Sequence, residues 1–251
     1  VYKAHAKLRV GKLTKPPEQF GILSSMGTAG LLGMLAQYDE LIHCNFRDSC
    51  HDLERVEGVG GEALASHPAI RVRRRACCQC SIGCARETDL LDKCGLVVDR
   101  GEGPEFESVA MFGPNLDIYD LEAVTEANYA CNRLGLDTIS AGGTIAALME
   151  IFEIARAKPA DARTEGELAL MADVAEFASA AGATEPDALS PAFGNTRALV
   201  PLLRAMARTE GALGRALASG ARRLAGRYGH PEAAMTVKGM EIPAYDPRAT
   251  W

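Results

Sequence analysis

Basic and apolar residues alternate over positions 3–10, the period-two signature of a short strand, with a helix as the alternative. Lys15-Pro16-Pro17 then breaks whatever forms there. From Thr28 to Leu41, the residues Leu31, Leu32, Leu35 and Tyr38 share one stripe, which predicts a buried helix starting behind Met26-Gly27. Residues 42–59 follow no period, and Gly60 to Ser66 suits one short helix. Further on, Gly95 to Asp99 reads as a short strand and residues 101–104 as a turn. Glu105 to Phe112 reads as a second short strand or an extended loop.

After residue 119 the pattern changes to the helical period. Leu121, Val124, Cys131 and Leu134 recur at that spacing, and Gly135 ends the helix. Gly142-Gly143 reads as punctuation before a helix from Thr144 to Ala157 that is apolar almost all round and therefore central. Gly166 to Ala181 is an Ala-rich helix, and residues 182–194 are a loop of Pro, Gly, Ser and Asp. Thr196 to Ala225 predicts one or two further helices, interrupted near Gly211, and Pro243 and Pro247 mark a non-helical close. The fold class is mainly α with a minor β element.

Composition narrows the picture. The 251 residues carry a net charge of −6 and are 47% hydrophobic, ordinary for a globular chain. An acidic balance argues against a nucleic-acid binder. No apolar run approaches the roughly 18–20 residues of a membrane span. Val1 to Lys15 is charged throughout and has no apolar core, unlike a signal peptide, so a cytoplasmic location is expected. The chain opens without Met and stops at Trp251, which reads as part of a longer protein.

The eight cysteines are the chemical anomaly. Four of them, Cys77, Cys78, Cys80 and Cys84, fall within eight positions. Crowding makes mutual disulfides awkward. Cys77, Cys80 and Cys84 are separated by gaps of two and three residues, which let one loop fold around an iron–sulfur cluster with each thiolate on its own iron. A structural zinc site is the alternative, but it wants a second Cys pair or a His at ligand spacing, and His67 is at none. Unligated thiols are the third reading. The preceding run of Arg71, Arg73, Arg74 and Arg75 is either a solvated patch or electrostatic support for thiolates or a phosphate.

This loop resembles the cluster loop of the tungsten-containing aldehyde ferredoxin oxidoreductases. Met26-Gly-Thr-Ala-Gly30, Asn45-Phe-Arg47 and Gly61-Glu-Ala-Leu64 are similar to family stretches that precede it. Gly103-Pro-Glu-Phe-Glu107 resembles the Gly-Pro-Glu-Tyr-Glu motif, and Asn132-Arg-Leu-Gly-Leu-Asp137 the pterin-binding Asp-x-x-Gly-Leu-Asp motif. The stretch from Lys238 to Arg248 is similar to one near the end of the family's middle region. The motifs run in family order along almost the whole chain.

The resemblance implies a three-domain enzyme. An N-terminal β-rich domain cradles two pyranopterins, and two helical domains close over a tungsten (or molybdenum) bis-pyranopterin and a [4Fe–4S] cluster. Residues 1–205 match the second domain and 206–251 the start of the third, so an N-terminal domain and most of a C-terminal one are expected outside this chain. It also implies aldehyde oxidation with ferredoxin as electron acceptor and a small aldehyde as substrate, and it is compatible with a homodimer. A related aromatic acyl-CoA reductase, or a non-catalytic cluster-bearing fragment, is the alternative.

Carried over residue by residue, Cys77, Cys80 and Cys84 are cluster ligands, with a fourth cysteine expected beyond Trp251. Glu107 is a proton-transfer carboxylate near the metal. Asn132, Gly135, Leu136, Asp137 and Lys238 face the pterin; a plain helix cap with a polar loop is the alternative for residues 132–137. Cys44, Cys50, Cys94 and Cys131 are expected to be buried structural thiols, and Cys78 to point away from the loop.

Three departures stand out. Asn132 replaces the motif's first Asp. Thr236 occupies the place of a His near the metal, and Thr does not titrate near neutrality. Some members hold an iron between subunits with Glu-x-x-His; Glu126-Ala-Asn-Tyr129 lacks that His, so no such metal is expected.

Overall fold

A computed structural model describes residues 18–49, 52–80, 82–185 and 187–249. The expected strand at 3–10, the break at Pro16-Pro17, and Cys50 lie outside the described residues. Four short helices come first: α1 (Glu18–Met26), α2 (Leu32–Gln37), α3 (Leu53–Glu57) and α4 (Gly61–Ser66). A three-stranded antiparallel sheet follows, β1 (Ile70–Arg75), β2 (Ala85–Leu91) and β3 (Val97–Glu102), in the order β1-β2-β3. The remainder is helical: α5 (Phe106–Phe112), α6 (Leu121–Leu134), α7 (Thr138–Arg156), α8 (Glu165–Ala180), α9 (Thr196–Arg208), α10 (Gly211–Ala218) and α11 (Ala221–Arg227). A two-residue hairpin, β4 (Thr236–Val237) and β5 (Met240–Glu241), comes last. The chain is mainly α with a minor β element, as its periodicity implies.

The core forms around α7, whose residues 141–149 are buried without interruption. Of these, Ile145, Leu148 and Met149 are fully buried, which contributes about 1.5–3 kcal/mol for each such side chain. This 19-residue helix is long and apolar enough to cross a bilayer, contrary to the expectation that no run comes near that length. Its most apolar window is nevertheless 67% buried inside the fold, and α5, α8 and α11 pack around it.

Several elements differ from the sequence pattern. Residues 105–112 are not a strand: Phe106–Phe112 is helical, and nearly all of it is buried, so the sequence shows no polar face from which a period could be read. Gly142 and Gly143 do not punctuate; they lie inside α7. A Cβ on Gly142 would stand 2.7 Å from the Met111 Cβ and 3.0 Å from the Met111 carbonyl, so the glycine lets α5 and α7 touch backbone to backbone. The helix expected over 28–41 is a 3-10 turn plus α2, which stops at Gln37 and leaves Tyr38 exposed. The stretch 196–225 forms three helices rather than one or two.

The sheet settles the basic run. In the register Ile70↔Leu90, Val72↔Thr88, Arg74↔Arg86, alternate residues face opposite sides. Ile70, Leu90 and Thr88 pack inward, where the Thr88 hydroxyl meets the Tyr129 hydroxyl at 2.7 Å. Arg71, Arg73 and Arg75 therefore point outward, onto Asp89 and Glu87, while Arg74 turns to the cysteine loop.

Candidate functional site

The cysteine loop spans residues 76–84, between β1 and β2. Gln79 and Gly83 have positive φ (63° and 61°), and the Cys80 N–H donates to the Cys77 carbonyl at 3.0 Å. The backbone N–H groups of Gly83 and Ile82 point at the Cys80 sulfur and, with Arg74, hold its thiol below the ordinary value. Arg74 also donates to the carbonyls of Gly83 (3.2 Å) and Ile82.

Arg86 locks the loop's exit. Its guanidinium is buried and donates to the carbonyls of Gly83 (3.0 Å), Cys84 (3.3 Å) and Ala85 (2.9 Å). Its other end reaches the carbonyls of Leu23 and Ser24 in α1, at 3.4 and 3.0 Å. Gly27 closes the contact: its φ is +79°, and a Cβ there would lie 2.9 Å from the Cys84 carbonyl. The Met26–Gly30 motif thus braces the loop.

Cys77 and Cys78 are exposed, and Cys80 and Cys84 half-buried, all as free thiols. Among the described residues no three Cys, His, Asp or Glu side chains converge into a metal-holding set; the loop brings its cysteines near one another without closing them on a point. The donor chemistry nonetheless suits an iron–sulfur cluster, because backbone N–H groups already favour the Cys80 thiolate. Cys44 and Cys131 are buried, and burial pushes each thiol up to about 12. Cys94 is exposed, not buried as expected. It sits in the β2–β3 turn, at the far end of the strand from the loop, roughly 20 Å away at about 3.3 Å per residue.

From the same motif, the Thr28 hydroxyl accepts the Phe106 N–H at 2.8 Å and bonds the Glu105 carboxylate. This fixes the start of α5, in whose first turn Glu107 lies. The half-buried Glu107 accepts the Ala244 N–H on Oε2 at 2.9 Å. Burial pushes its carboxyl up from the usual value, the Ala244 bond opposes this, and the charge of Asp137 adds to the rise. Beside it, the Phe106 and Tyr245 rings have centroids 5.2 Å apart. Two motifs distant in sequence therefore meet at Glu107.

Gly135 ends α6 in the left-handed conformation (φ 71°), and Asp137 begins α7, its carboxylate accepting the Ser140 N–H at 2.7 Å. Capping is thus real, and it is combined with exposure to a groove. Asn132, Leu136 and Asp137 line a cavity of about 310 Å³ with Glu105 and Ser108. Leu136 and Asp137 also line the next cavity, of similar size, which ends at Gly220. Gly220 in turn borders a third, of about 500 Å³, lined by Arg222, Arg223 and Lys238. The three cavities adjoin, the first two through Leu136 and Asp137 and the last two through Gly220, and together they are referred to as the groove.

Lys238 is exposed at the tip of the β4–β5 hairpin, where it and Gly239 have positive φ (54° and 85°), as a two-residue turn requires. Thr236 pairs with Glu241 at the hairpin base. The Glu241 carboxylate accepts the Ala221 N–H at 2.9 Å and the Thr144 hydroxyl at 3.5 Å, which ties the hairpin to α11 and α7. Sequence reading missed Thr28, Arg86, Arg222 and Arg223. Thr28 left a signal as part of the Met26–Gly30 motif, and Arg86 as a basic residue just behind the last loop cysteine.

Comparison with known proteins shows the family. Residues 4–251 match the family described as aldehyde ferredoxin oxidoreductase, domains 2 & 3. The chain is 38% identical over 240 residues to the tungsten-containing aldehyde ferredoxin oxidoreductase of Pyrococcus furiosus, 36% to that of Thermococcus kodakarensis and 35% to that of Pyrococcus abyssi. Each alignment covers 96% of this chain and 34% of the relative. The chain belongs to the aldehyde ferredoxin oxidoreductase family, and it spans about a third of the length of the curated relatives it matches.

Proposed function

We propose that this chain forms part of a tungsten-pterin, iron–sulfur oxidoreductase that oxidises an aldehyde to a carboxylic acid and passes the electrons to ferredoxin, in the cytoplasm. The observation that carries the reading is Glu107: a half-buried carboxyl held by Ala244 and coupled to Asp137, which lines the groove. In this proposal Cys77, Cys80 and Cys84 hold three irons of a [4Fe–4S] cluster, and the fourth ligand comes from elsewhere in a longer polypeptide. Asn132, Gly135, Leu136, Asp137 and Lys238 face the pterin. The division at residue 205 between a second and a third helical domain belongs to the same proposal.

When bound, a tungsten-pterin and an iron–sulfur cluster would supply the redox chemistry, with Cys77, Cys80 and Cys84 holding the cluster. The chain's residues do the rest. Aldehyde plus water gives acid, two protons and two electrons, so a group beside the reacting carbon must accept a proton. Glu107 suits this: Ala244 fixes Oε2 and orients the carboxylate, while a raised proton affinity makes it a better base than an exposed Glu. Asp137 keeps one oxygen on the Ser140 N–H, which holds its carboxylate steady at the groove wall as a hydrogen-bond acceptor for ring N–H groups.

Thr236, which does not titrate near neutrality, leaves open a second reading with the same cofactors: reduction of an aromatic acyl-CoA thioester. Both are tested by expressing the full-length enzyme anaerobically and assaying aldehyde oxidation with ferredoxin or viologen dye, beside acyl-CoA reduction. Aldehyde-dependent reduction that falls in Glu107→Gln supports the first reading. Turnover of the thioester alone supports the second.

A further inference from the structure

We infer that the pocket formed by Arg222, Arg223 and Lys238 binds the phosphate group of a phosphorylated ligand lying along the groove. The inference rests on the groove being a ligand-binding face, and it is independent of which reaction takes place there.

The pocket is built from two separate elements. Arg222 and Arg223 come from α11, and Lys238 from the tip of the β4–β5 hairpin. Glu241 fixes their relative position by joining the hairpin to the first residue of α11 at 2.9 Å. Arg222 crosses to the hairpin: its guanidinium is 3.7 Å from where a Cβ on Gly239 would stand. Gly239 and Gly220 leave the walls without side chains, so an anion can approach the backbone closely.

Three cations therefore share one concavity of about 500 Å³, and none of them has a hydrogen-bonding or ion-pairing partner among the described residues. Several other arginines are matched: Arg73 with Asp89, Arg133 with Asp99, Arg227 with Asp173 and Arg248 with Asp246. The Glu241 carboxylate, which ties the hairpin to α11, is already bonded to Ala221 and Thr144. In a chain of net charge −6, an unneutralised cluster at one end of a groove is a local reversal of sign. Guanidinium groups match phosphate oxygens in a two-pronged geometry, and Lys adds a mobile point charge.

The remainder of the groove sets the ligand's form. From Gly220 it continues past Thr144, Asp137 and Leu136 to Asn132. A ligand that fills it has an uncharged, hydrogen-bonding end near Asn132 and Asp137 and a phosphate at Arg222 and Arg223. Two sources offer that chemistry: a phosphorylated cofactor, or a substrate carried on a nucleotide-containing thiol such as coenzyme A.

The test uses the full-length enzyme in cofactor-free and cofactor-loaded forms, with inorganic pyrophosphate as the probe and calorimetry as the readout. Cofactor-free enzyme is expected to bind pyrophosphate, more weakly as salt rises. The R222Q/R223Q double substitution should weaken binding at least tenfold, and R222K/R223K should retain most of it. Both positions are exposed, so circular dichroism should be unchanged. Loss of binding on cofactor loading assigns the pocket to the cofactor's phosphate; persistence assigns it to the substrate's. No binding to the cofactor-free form, or binding unaltered in R222Q/R223Q, overturns the inference. No outcome depends on aldehyde turnover, so a failed oxidation assay would leave this result standing.

Discussion

Glu107 accepts a hydrogen bond from the Ala244 backbone N–H at 2.9 Å, across 137 residues of sequence. This joins the first turn of α5 to the segment after the β4–β5 hairpin and leaves the second carboxylate oxygen without a protein partner among the described residues. One change should therefore separate chemistry from folding. Glu107→Gln keeps the Ala244 bond through its amide oxygen and removes the base. Turnover with aldehyde should fall by about 100-fold or more, with metal content unchanged by elemental analysis.

The same group sets a pH dependence. Burial raises the Glu107 proton affinity above that of an exposed carboxylate, which titrates near about 4.3. In its proposed role as base it works when ionised, so the rate should rise with pH through the elevated value, and Glu107→Gln should lose that limb. The stability term runs the other way: it is fully present below the unfolded value and is lost as pH rises through the folded one.

The cysteine loop gives a contrast within one strand pair. Cys80→Ser removes the thiolate favoured by the Gly83 and Ile82 N–H groups, and iron per polypeptide should drop sharply in anaerobic preparations. Cys94→Ser, at the far end of β2, should leave iron content at the wild-type level.

Gly142 tests the packing of α5 on α7. Gly142→Ala puts a methyl 2.7 Å from the Met111 Cβ and 3.0 Å from its carbonyl. Backbone cannot yield as a flexible side chain would, so urea unfolding should show a loss of about 1–3 kcal/mol.

Acid sensitivity should trace to Glu167. It is fully buried and accepts from Lys158 at 2.5 Å, from the Thr164 N–H at 2.8 Å, and stands 2.9 Å from His230. The Lys158 bond foremost, with Thr164 and His230, holds its carboxyl down at about 2. Its contribution is present above the unfolded value near about 4.3 and is lost as pH falls toward about 2. Glu167→Gln should lower the melting temperature at pH 7 and flatten its decline in acid.

These residues also show what a single sequence carries. The helix over residues 121–134 and its end at Gly135 were legible because Leu121, Val124 and Cys131 repeat at 3.6 residues and glycine suits a left-handed cap. Residues 106–112 were not, because a short helix buried on every side has no polar face. The Arg71–Arg75 run hid a strand: pleating sends Arg73 to Asp89 and Arg74 to the loop, and that division needs the partner strand. The candidate site was legible as motifs. The contacts that assemble it, Thr28 with Phe106, Arg86 with Ser24 and Glu107 with Ala244, join residues 62 to 137 positions apart and leave no local trace.

The most direct test is elemental analysis of the full-length protein, purified anaerobically from cells supplied with tungstate. The account predicts tungsten together with about four irons per polypeptide, both lost when Cys80 and Asp137 are replaced together. Zinc without iron or tungsten would contradict it.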